Sequence, residues 1–347
     1  MRTIDWVDGA VELVDQTRLP DECVMLRLTT VDELIEAIGR LAVRGAPALG
    51  VAGALGVVLA HGDRDAVARL RAARPTAVNL AWGVDRAAAH LPEGPDAVLA
   101  AALRVRDDDI AACLAMGERG ADLLETLGSP GGLASREDAG SREGLTSREG
   151  AGSREGVGGR AGGLRVMTVC NTGGLAAVER GTALGVVQTL HERGRLAEVL
   201  ALETRPLLQG ARLTTWELAR MGAPHRLVTD SAGPYLLARG AADAVLIGAD
   251  RIAANGDTAN KIGSYALALG AARAGVPFIV VAPETTIDPA TPSGEHIEIE
   301  DRGADEIVTV RGVRLAPEGT RALNPAFDVT PHDLITAIVT DQRVIRP

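Results

Sequence analysis

Short runs of β-branched residues alternate with helical stretches throughout the second half of the sequence. The runs are RVMTV (165–169), EVLALE (198–203), HRLVTD (225–230), DAVLIGAD (243–250) and PFIVVAP (277–283). Helical patterns lie between them, over 175–191, 212–221, 232–239 and 261–274. This alternation predicts an α/β fold in which 164–347 form a doubly wound, Rossmann-like parallel sheet. Because such sheets bind ligands at the carboxyl ends of their strands, the residues that follow each run are the functional candidates.

The first part of the chain has a helical pattern instead. Over 30–43 the apolar residues fall on one helical face, and Thr30 with Glu33 forms a capping-box signature at its start. The Gly- and Ala-rich stretch 46–60 is predicted to be a buried helix, since it is shorter than the ~20 residues that cross a bilayer. We therefore expect a smaller, mostly helical N-terminal domain over 1–127.

A hexapeptide array separates these two parts. From Ser135 the sequence reads SREDAG, SREGLT, SREGAG and SREGVG, with almost no large apolar side chains. Such a composition cannot build a core, and six-residue units are shorter than the repeats of solenoid proteins. We expect 128–163 to be a flexible linker or insertion that carries no functional site, between the two domains that a chain of 347 residues favours.

The charge and the cysteine content restrict the class of partner and the compartment. Lysine and arginine number 36 against 46 acidic residues, a net charge of −10, which is the opposite of what a nucleic-acid-binding protein shows. An anionic ligand would therefore need a local cationic site. The three cysteines cannot form a disulfide framework, and the acidic N-terminus is unlike a secretory signal, so we expect a cytoplasmic protein with no membrane partner.

Known cofactor motifs are missing from the sequence. The six histidines are scattered, without H-x-x-x-H or C-x-x-C spacing, so no metal is expected. The turn NTGG (171–174) is not a dinucleotide fingerprint, which disfavours a nicotinamide-dependent oxidoreductase. Esterase and P-loop signatures are absent as well.

Cys170 closes the first predicted strand and is followed by the NTGG turn and a predicted helix. Its thiol is expected at a strand end, near backbone amides and a helix N-terminus, where a cysteine can become reactive. The alternative is a buried, inert cysteine, the commonest role of a free cysteine. Cys23 and Cys113 have no comparable context and are assigned to packing.

Asp250 follows the apolar run AVLIGA and is expected at the same edge of the sheet. Burial there would raise the pKa of its carboxyl toward that of a general acid, whereas the neighbouring Arg251 would lower it. The alternative is a structural ion pair with Arg251 or a helix cap. Further polar groups, at Glu203 to Arg205, Gln209, Asp230 and Asn260-Lys261, follow other strands or turns, as in a binding crevice.

Arg44 and Arg74 stand out among the arginines of the N-terminal half. Each lies in a turn containing Gly or Pro, RGAP or RPTAVNL, and not on a charged helix face. Because the guanidinium group suits bidentate contact with phosphate, both are candidate phosphate ligands. A solvent-exposed arginine is the alternative at each position.

Eight sequence blocks together resemble the 5-methylthioribose-1-phosphate isomerase family. They are VDQTRLP (14–20), VRGAPALGVA (43–52), RPTAVNLAW (74–82), CNTGGLA (170–176), GTALGV (181–186), ETRPLLQGARLTTWEL (203–218), GADRIAANGDTANKIGSYALA (248–268) and NPAFDVTPHDLI (324–335). The resemblance spans nearly the whole chain except 128–163. It implies conversion of 5-methylthio-α-D-ribose 1-phosphate to 5-methylthio-D-ribulose 1-phosphate in methionine salvage, without metal or redox cofactor, by a homodimer.

The resemblance also implies roles for individual residues. Cys170 and Asp250 would be the catalytic pair, with Asp250 protonating the ring oxygen. The residues that would bind the sugar phosphate are Arg44, Gly45, Ala46, Arg74, Gln209, Asn260 and Lys261. At position 174 this sequence has Gly where the family commonly has Ser, and its SREG array is unusually long.

The sequence leaves the substituent at C5 of the sugar and the route of hydrogen transfer open. The same catalytic pair would serve an isomerase of 5-deoxyribose 1-phosphate or ribose 1,5-bisphosphate, since these differ only at C5. A third hypothesis is a non-catalytic regulatory subunit of a translation-initiation exchange factor, which has the same fold. The presence of both Cys170 and Asp250 argues against it.

Overall fold

The computed structural model describes residues 1–75, 77–127 and 163–347, and the chain begins with a small antiparallel sheet. Its three strands, β1, β2 and β3, span Ile4–Val7, Ala10–Val14 and Met25–Leu28. The prediction of a mostly helical N-terminal part did not include them. The sequence signal for the hairpin of β1 and β2 was the pair Asp8-Gly9. Both residues have positive φ (45° and 81°), as a tight hairpin turn requires.

Five helices follow in the N-terminal part. They are α1 (Val31–Gly39), α2 (Ala46–Leu59), α3 (Arg64–Arg71), α4 (Val78–Ala88) and α5 (Pro95–Leu127). The predicted capping box of α1 is confirmed, because the Thr30 hydroxyl accepts from the Glu33 amide while the Glu33 carboxylate accepts from the Thr30 amide. The predicted buried helix is α2, whose residues are buried nearly all round. Its small side chains allow this close packing.

Helix α5 connects the two halves of the molecule. Its first turns pack into the core of the N-terminal part through Val98, Ala102 and Val105. Its last turns, including Cys113 and Leu124, pack into the core beneath the large sheet. Cys113 is buried as expected, whereas Cys23 is exposed, so the assignment of Cys23 to packing is wrong. Among the described residues no helix has both the length and the apolar character needed to cross a membrane.

The large sheet has seven strands in the order β16-β15-β10-β7-β4-β5-β6. Its strands are β4 (Leu164–Thr168), β5 (Leu196–Leu202), β6 (His225–Val228), β7 (Ala244–Ile247), β10 (Phe278–Val281), β15 (Ala337–Val339) and β16 (Val344–Ile345). All neighbours pair in parallel except β16, which runs antiparallel to β15. The helices that accompany it are α6 (Ala183–Glu192), α7 (Thr215–Met221), α8 (Gly233–Ala238) and α9 (Ser264–Ala274). The predicted fold class is confirmed.

Two helix boundaries differ from the prediction for physical reasons. The turn after Cys170 forms only one turn of 3-10 helix, Gly174–Ala176, before the chain doubles back. Gly181 has a positive φ of 83° and pairs with Gly173, so the long helix α6 begins only afterwards. The helix predicted over 261–274 begins at Ser264, because Lys261 belongs to a strand.

That strand belongs to a second, four-stranded sheet in the order β11-β8-β9-β14. Its members are β8 (Arg251–Ala253), β9 (Thr258–Lys261), β11 (Ile287–Asp288) and β14 (Phe327–Thr330). A short helix α10 (Asp305–Val308) and a hairpin of β12 (Thr309–Val310) and β13 (Val313–Arg314) lie between β11 and β14 in the chain. The linker predicted over 128–163 falls, apart from Gly163, outside the described residues.

Backbone contact between α2 and α4 depends on glycine. A Cβ atom on Gly83 would overlap the carbonyl oxygen of Gly50, and one on Gly53 would lie 2.6 Å from the carbonyl oxygen of Leu80. Because the overlap is with backbone, no side-chain rotation can relieve it. The spacing of these two helices is therefore set by their glycines.

We expect Gly83→Ala to lower the free energy of unfolding by about 1–3 kcal/mol, as over-packing of a core does. Gly39→Ala is the matched control, since a Cβ there meets no atom within 4 Å. It should leave stability within about 0.5 kcal/mol of wild type or raise it. Chemical denaturation measures both. Equal stability of the two variants would contradict the close approach of α2 and α4.

Candidate active site

The strand order of the large sheet reverses beside β4. Strands β5 and β6 continue on one side of β4, whereas β7, β10 and β15 continue on the other. At such a point the connections leave toward opposite faces, and a crevice opens at the carboxyl ends of the strands. Cys170 lies just beyond the end of β4 and Asp250 just beyond the end of β7. Both line the same pocket.

The backbone of Cys170 is held in an uncommon conformation. Its φ is +65°, which non-glycine residues rarely adopt and which the surroundings must maintain. The Cys170 amide donates to the Thr204 hydroxyl at 2.8 Å, and the Cys170 carbonyl accepts from the Thr214 hydroxyl at 2.6 Å. Asp230 in turn accepts from the Thr204 and Arg205 amides, each at 2.7 Å. Residues that follow β5 and β6 thus fix the position of Cys170.

The surroundings of Asp250 act on its pKa in opposite directions. Burial raises the pKa of this carboxyl, while the charges of Lys261, Arg74 and Arg44 lower it, and the net result is a raised pKa. Arg251 also lines the pocket, but its guanidinium group pairs with Asp288 at 3.7 Å. The alternative of an Asp250–Arg251 ion pair is therefore wrong. The helix-cap alternative is also wrong, because Asp250 leads into strand β8.

Lys261 reaches the pocket from the last position of β9. Its ammonium group donates to the Ala326 carbonyl at 2.8 Å and lies 4.6 Å from the centre of the Phe327 ring. Burial lowers the pKa of Lys261, which the negative charge of Asp250 partly offsets. The pairing of β9 with β14 therefore fixes a desolvated cation opposite the acid.

The turn of Arg44, Gly45 and Ala46 brings the start of α2 to the pocket wall. Gly45 has a φ of +97°, and a Cβ there would lie 2.6 Å from the Cα atom of Ala176, so only glycine fits. Ala46 is the first residue of the helix, where backbone amides lack partners within the helix. Together with the Arg44 guanidinium, these amides can bind an anion.

The remaining predicted ligands differ in their placement. Arg74 lines the pocket, and burial lowers the pKa of its guanidinium group. Gln209 is 4% exposed and lines the pocket, and its buried Oε1 has no hydrogen-bond partner among the described residues. Asn260 is buried next to the pocket but does not line it, because its amide donates to the Ser264 hydroxyl at 2.8 Å. Eight of the nine predicted residues therefore meet in one pocket, and Asn260 lies behind it.

Sequence reasoning missed most of the apolar wall of the pocket. This wall consists of Leu41, Leu49, Val78, Leu207, Ile297, Ile299 and Phe327. The first four lie near predicted ligands in the sequence. The segment that contains Ile297 and Ile299 carries no motif and reaches the pocket only through the tertiary fold. Arg302, from the same segment, adds a cation held by Glu306.

Comparison with known proteins places the chain in a family. The sequence profile described as the Initiation factor 2 subunit family matches residues 42–347. A methylthioribose-1-phosphate isomerase of Anaeromyxobacter sp. (strain Fw109-5) is 48% identical over 100% of this chain and 95% of its own length. A 5-deoxyribose 1-phosphate isomerase of Moorella thermoacetica is 45% identical over 99% of this chain and 94% of its own length.

A third relative is longer than this chain. It is a probable bifunctional methylthioribose-1-phosphate isomerase/methylthioribulose-1-phosphate dehydratase of Nocardia farcinica, 49% identical over 99% of this chain. This chain spans 60% of its length.

Two solved structures share the fold over the whole chain. The 5-methylthioribose 1-phosphate isomerase of Pyrococcus horikoshii superimposes with a TM-score of 0.83 at 35% identity, over 100% of this chain and 92% of the other. The translation initiation factor eIF-2B, subunit delta, of A. fulgidus gives 0.81 at 37% identity, over 100% and 96%. The chain therefore belongs to the initiation factor 2 subunit family, among the relatives named methylthioribose-1-phosphate isomerase.

Proposed function

We propose that this chain is an aldose–ketose isomerase that converts 5-methylthio-α-D-ribose 1-phosphate to 5-methylthio-D-ribulose 1-phosphate in methionine salvage. The observation that carries the proposal is a buried acid, Asp250, in one pocket with Cys170 and several cations. The relatives named for this reaction support it. The proposal concerns the isomerase reaction alone, since this chain spans only part of the bifunctional relative.

The substrate explains why an acid must act first. Its phosphate stays on the oxygen of C1 throughout, so no free aldehyde forms, and C1 can accept a hydrogen only once its bond to the ring oxygen breaks. Asp250 in its protonated form donates a proton to the ring oxygen and becomes a carboxylate. When C2 later becomes a carbonyl, its hydroxyl proton returns to Asp250. The acid is thereby restored at the end of each turnover.

A hydrogen must also pass from C2 to C1, and two routes balance. In the first, the Cys170 thiolate removes the C2 proton and returns it to C1 through an enediol. In the second, the hydrogen moves directly as hydride, and Cys170 stabilises the transition state as a polar group. Deuterium from solvent enters C1 only in the first route, so turnover in deuterated water distinguishes them.

The cations of the pocket account for phosphate binding in a protein of net charge −10. Arg44, the amides at the start of α2, Arg74 and Lys261 form a local positive region around Asp250. In our proposal Gln209 hydrogen-bonds a sugar hydroxyl through its unpartnered Oε1. Asn260 acts through Ser264 and supports the adjacent Lys261.

The apolar wall bears on the substituent at C5. Leu41, Leu207, Ile299 and Phe327 suit a methylthio group, whereas a second phosphate at C5 would need a cation there, and the nearby Arg302 is already paired with Glu306. A 5-deoxyribose 1-phosphate also has an apolar C5, and the relative from Moorella thermoacetica is named for it. It is the second candidate substrate. A non-catalytic regulatory role is less well supported, because Cys170 and Asp250 are both present.

We further propose that the protein is a cytoplasmic homodimer, which its few cysteines and its family resemblance support. In the same proposal, a helical domain over 1–127 and a Rossmann-like domain over 164–347 are joined by a repeat linker over 128–163. Light scattering on purified protein tests the dimer.

Asp250→Asn and Cys170→Ala should each lower kcat by roughly 10²–10⁴-fold, the range that positioned acid–base groups contribute. Conversion of methylthioribose 1-phosphate is followed by phosphorus NMR without added metal or nucleotide. Cys23→Ala, which changes an exposed cysteine, is the matched control and should retain wild-type turnover. If wild-type protein leaves this substrate unconverted, the proposed reaction falls, and 5-deoxyribose 1-phosphate is tested next.

Lys261→Met should move the alkaline limb of the kcat profile to higher pH. Asp250 acts while protonated, so activity is lost as pH rises through its raised pKa. Lys261 stabilises the carboxylate and lowers that pKa, so loss of its charge raises the pKa and extends activity upward. Arg226→Met is the control and should leave the limb in place, because Arg226 lies outside the pocket and pairs with Glu198. If the alkaline limb of the kcat profile stays in place or moves to lower pH in Lys261→Met, the result would argue against Asp250 as the acid.

A further inference from the structure

The guanidinium group of Arg44 is fixed at all three of its nitrogen positions. Nε donates to the Gln16 side-chain oxygen at 3.0 Å, and Nη1 donates to the Asn171 carbonyl at 2.9 Å. Nη2 donates to the Asn171 side-chain oxygen Oδ1. The residue next to Cys170 thus sets the direction in which Arg44 faces the pocket.

These contacts require one particular orientation of the Asn171 side-chain amide. Its oxygen faces Arg44, and its Nδ2 donates to Glu217 Oε2 at 2.5 Å. A guanidinium group can only donate hydrogen bonds, and an ionised carboxylate can only accept them. An asparagine amide between the two satisfies both in this orientation and neither in the reversed one. Glu217 therefore decides which end of Asn171 meets Arg44.

Glu217 is itself held by the turn that follows Cys170. Its Oε1 accepts from the Leu175 amide at 3.1 Å, and the Gly174 amide adds a further hydrogen bond. Gly173 leaves the space for this carboxyl group, since a Cβ there would overlap Glu217 Oε2. The turn NTGG thus holds the Glu217 carboxyl group in place.

We propose that Glu217 is a positioning residue, which orients the Asn171 amide and through it presents Arg44 to the phosphate of the substrate. The inference rests on the proposed function for the identity of the ligand, though the network itself does not depend on it. Burial raises the pKa of Glu217, and the hydrogen bonds from Asn171 and Leu175 together with the charge of Arg44 only partly offset this, so the net result is a raised pKa.

Glu217→Gln is the sharpest test because it keeps the size of the side chain. If the Leu175 and Gly174 amides keep the oxygen of the new amide, its NH₂ group meets the NH₂ group of Asn171. Two donors then face each other, the Asn171 amide must reverse, and Arg44 Nη2 loses its acceptor at Asn171 Oδ1. We expect KM for the sugar phosphate to rise about tenfold or more, with a much smaller change in kcat, because Asp250 and Cys170 are untouched.

The double variant Asn171→Asp/Glu217→Gln should restore binding. The carboxylate introduced at 171 accepts from the new amide at 217 and from Arg44, so every donor again meets an acceptor. We expect its KM to return to within about threefold of wild type. Asn171→Asp alone should weaken binding, because it places the new carboxylate next to that of Glu217. Asp109→Asn is the matched control, a buried carboxyl outside the pocket that accepts from the Val178 amide.

Several results would overturn the proposal. A lowered melting temperature with unchanged KM in Glu217→Gln would make the role structural only, as would failure of the double variant to recover. If wild-type protein does not turn over the substrate, the proposed function fails, but this inference can still be tested. Titration calorimetry then compares the affinities of wild type and the variants for inorganic phosphate in place of KM. Crystal structures of both variants need no ligand. The contact between Arg44 Nη2 and the side chain of residue 171 should be lost in Glu217→Gln and restored in the double variant, and an unmoved guanidinium group in the single variant would contradict the proposal.

Discussion

The reversal of strand order between β4 and β7 is the constraint on which the rest of the site depends. Since the chain leaves these two strands toward opposite faces of the sheet, their carboxyl ends open onto one crevice. Cys170 and Asp250 occupy those two ends. The N-terminal helices then close the crevice from above with Arg44, Ala46 and Arg74. Helix α5 holds the two halves together by entering both cores.

Within this crevice, desolvation and charge work against each other. Burial raises the pKa of Asp250, and the charges of Lys261, Arg74 and Arg44 lower it, with a raised pKa as the net result. Lys261 and Arg44 are each fixed by hydrogen bonds to other groups. Lys261 donates to the Ala326 carbonyl, and Arg44 to Gln16 and Asn171. One pocket can thus contain a proton donor for the ring oxygen and cations for the phosphate.

The sequence predicted what local pattern determines and missed what the tertiary fold determines. Apolar runs located five strands of the large sheet but not β15 and β16, and the position after a run located Cys170 and Asp250. The start of α6 was misjudged because Gly181 turns the chain back, a conformation that helical periodicity does not reveal. Strand β9, with the sequence TANK, was missed because it has only one β-branched residue, although it pairs with the nearby β8 as well as with the distant β14. No local signal placed Ile299 at the pocket, and Glu217 was read as part of an ordinary helix. The roles of Gln209 and Asn260 came from family resemblance.

The fold raises the pKa of Asp250 above the value of about 3.9 that an ordinary aspartate has, so its carboxyl group keeps a proton at a pH where an ordinary aspartate is ionised. Difference infrared spectroscopy between wild-type protein and Asp250→Asn measures this directly, because a protonated carboxyl group and a carboxylate absorb at separate frequencies. At a pH just above that ordinary value, we expect a protonated-carboxyl band that is present in wild type and absent from the variant. A carboxylate band alone in that difference spectrum would contradict it.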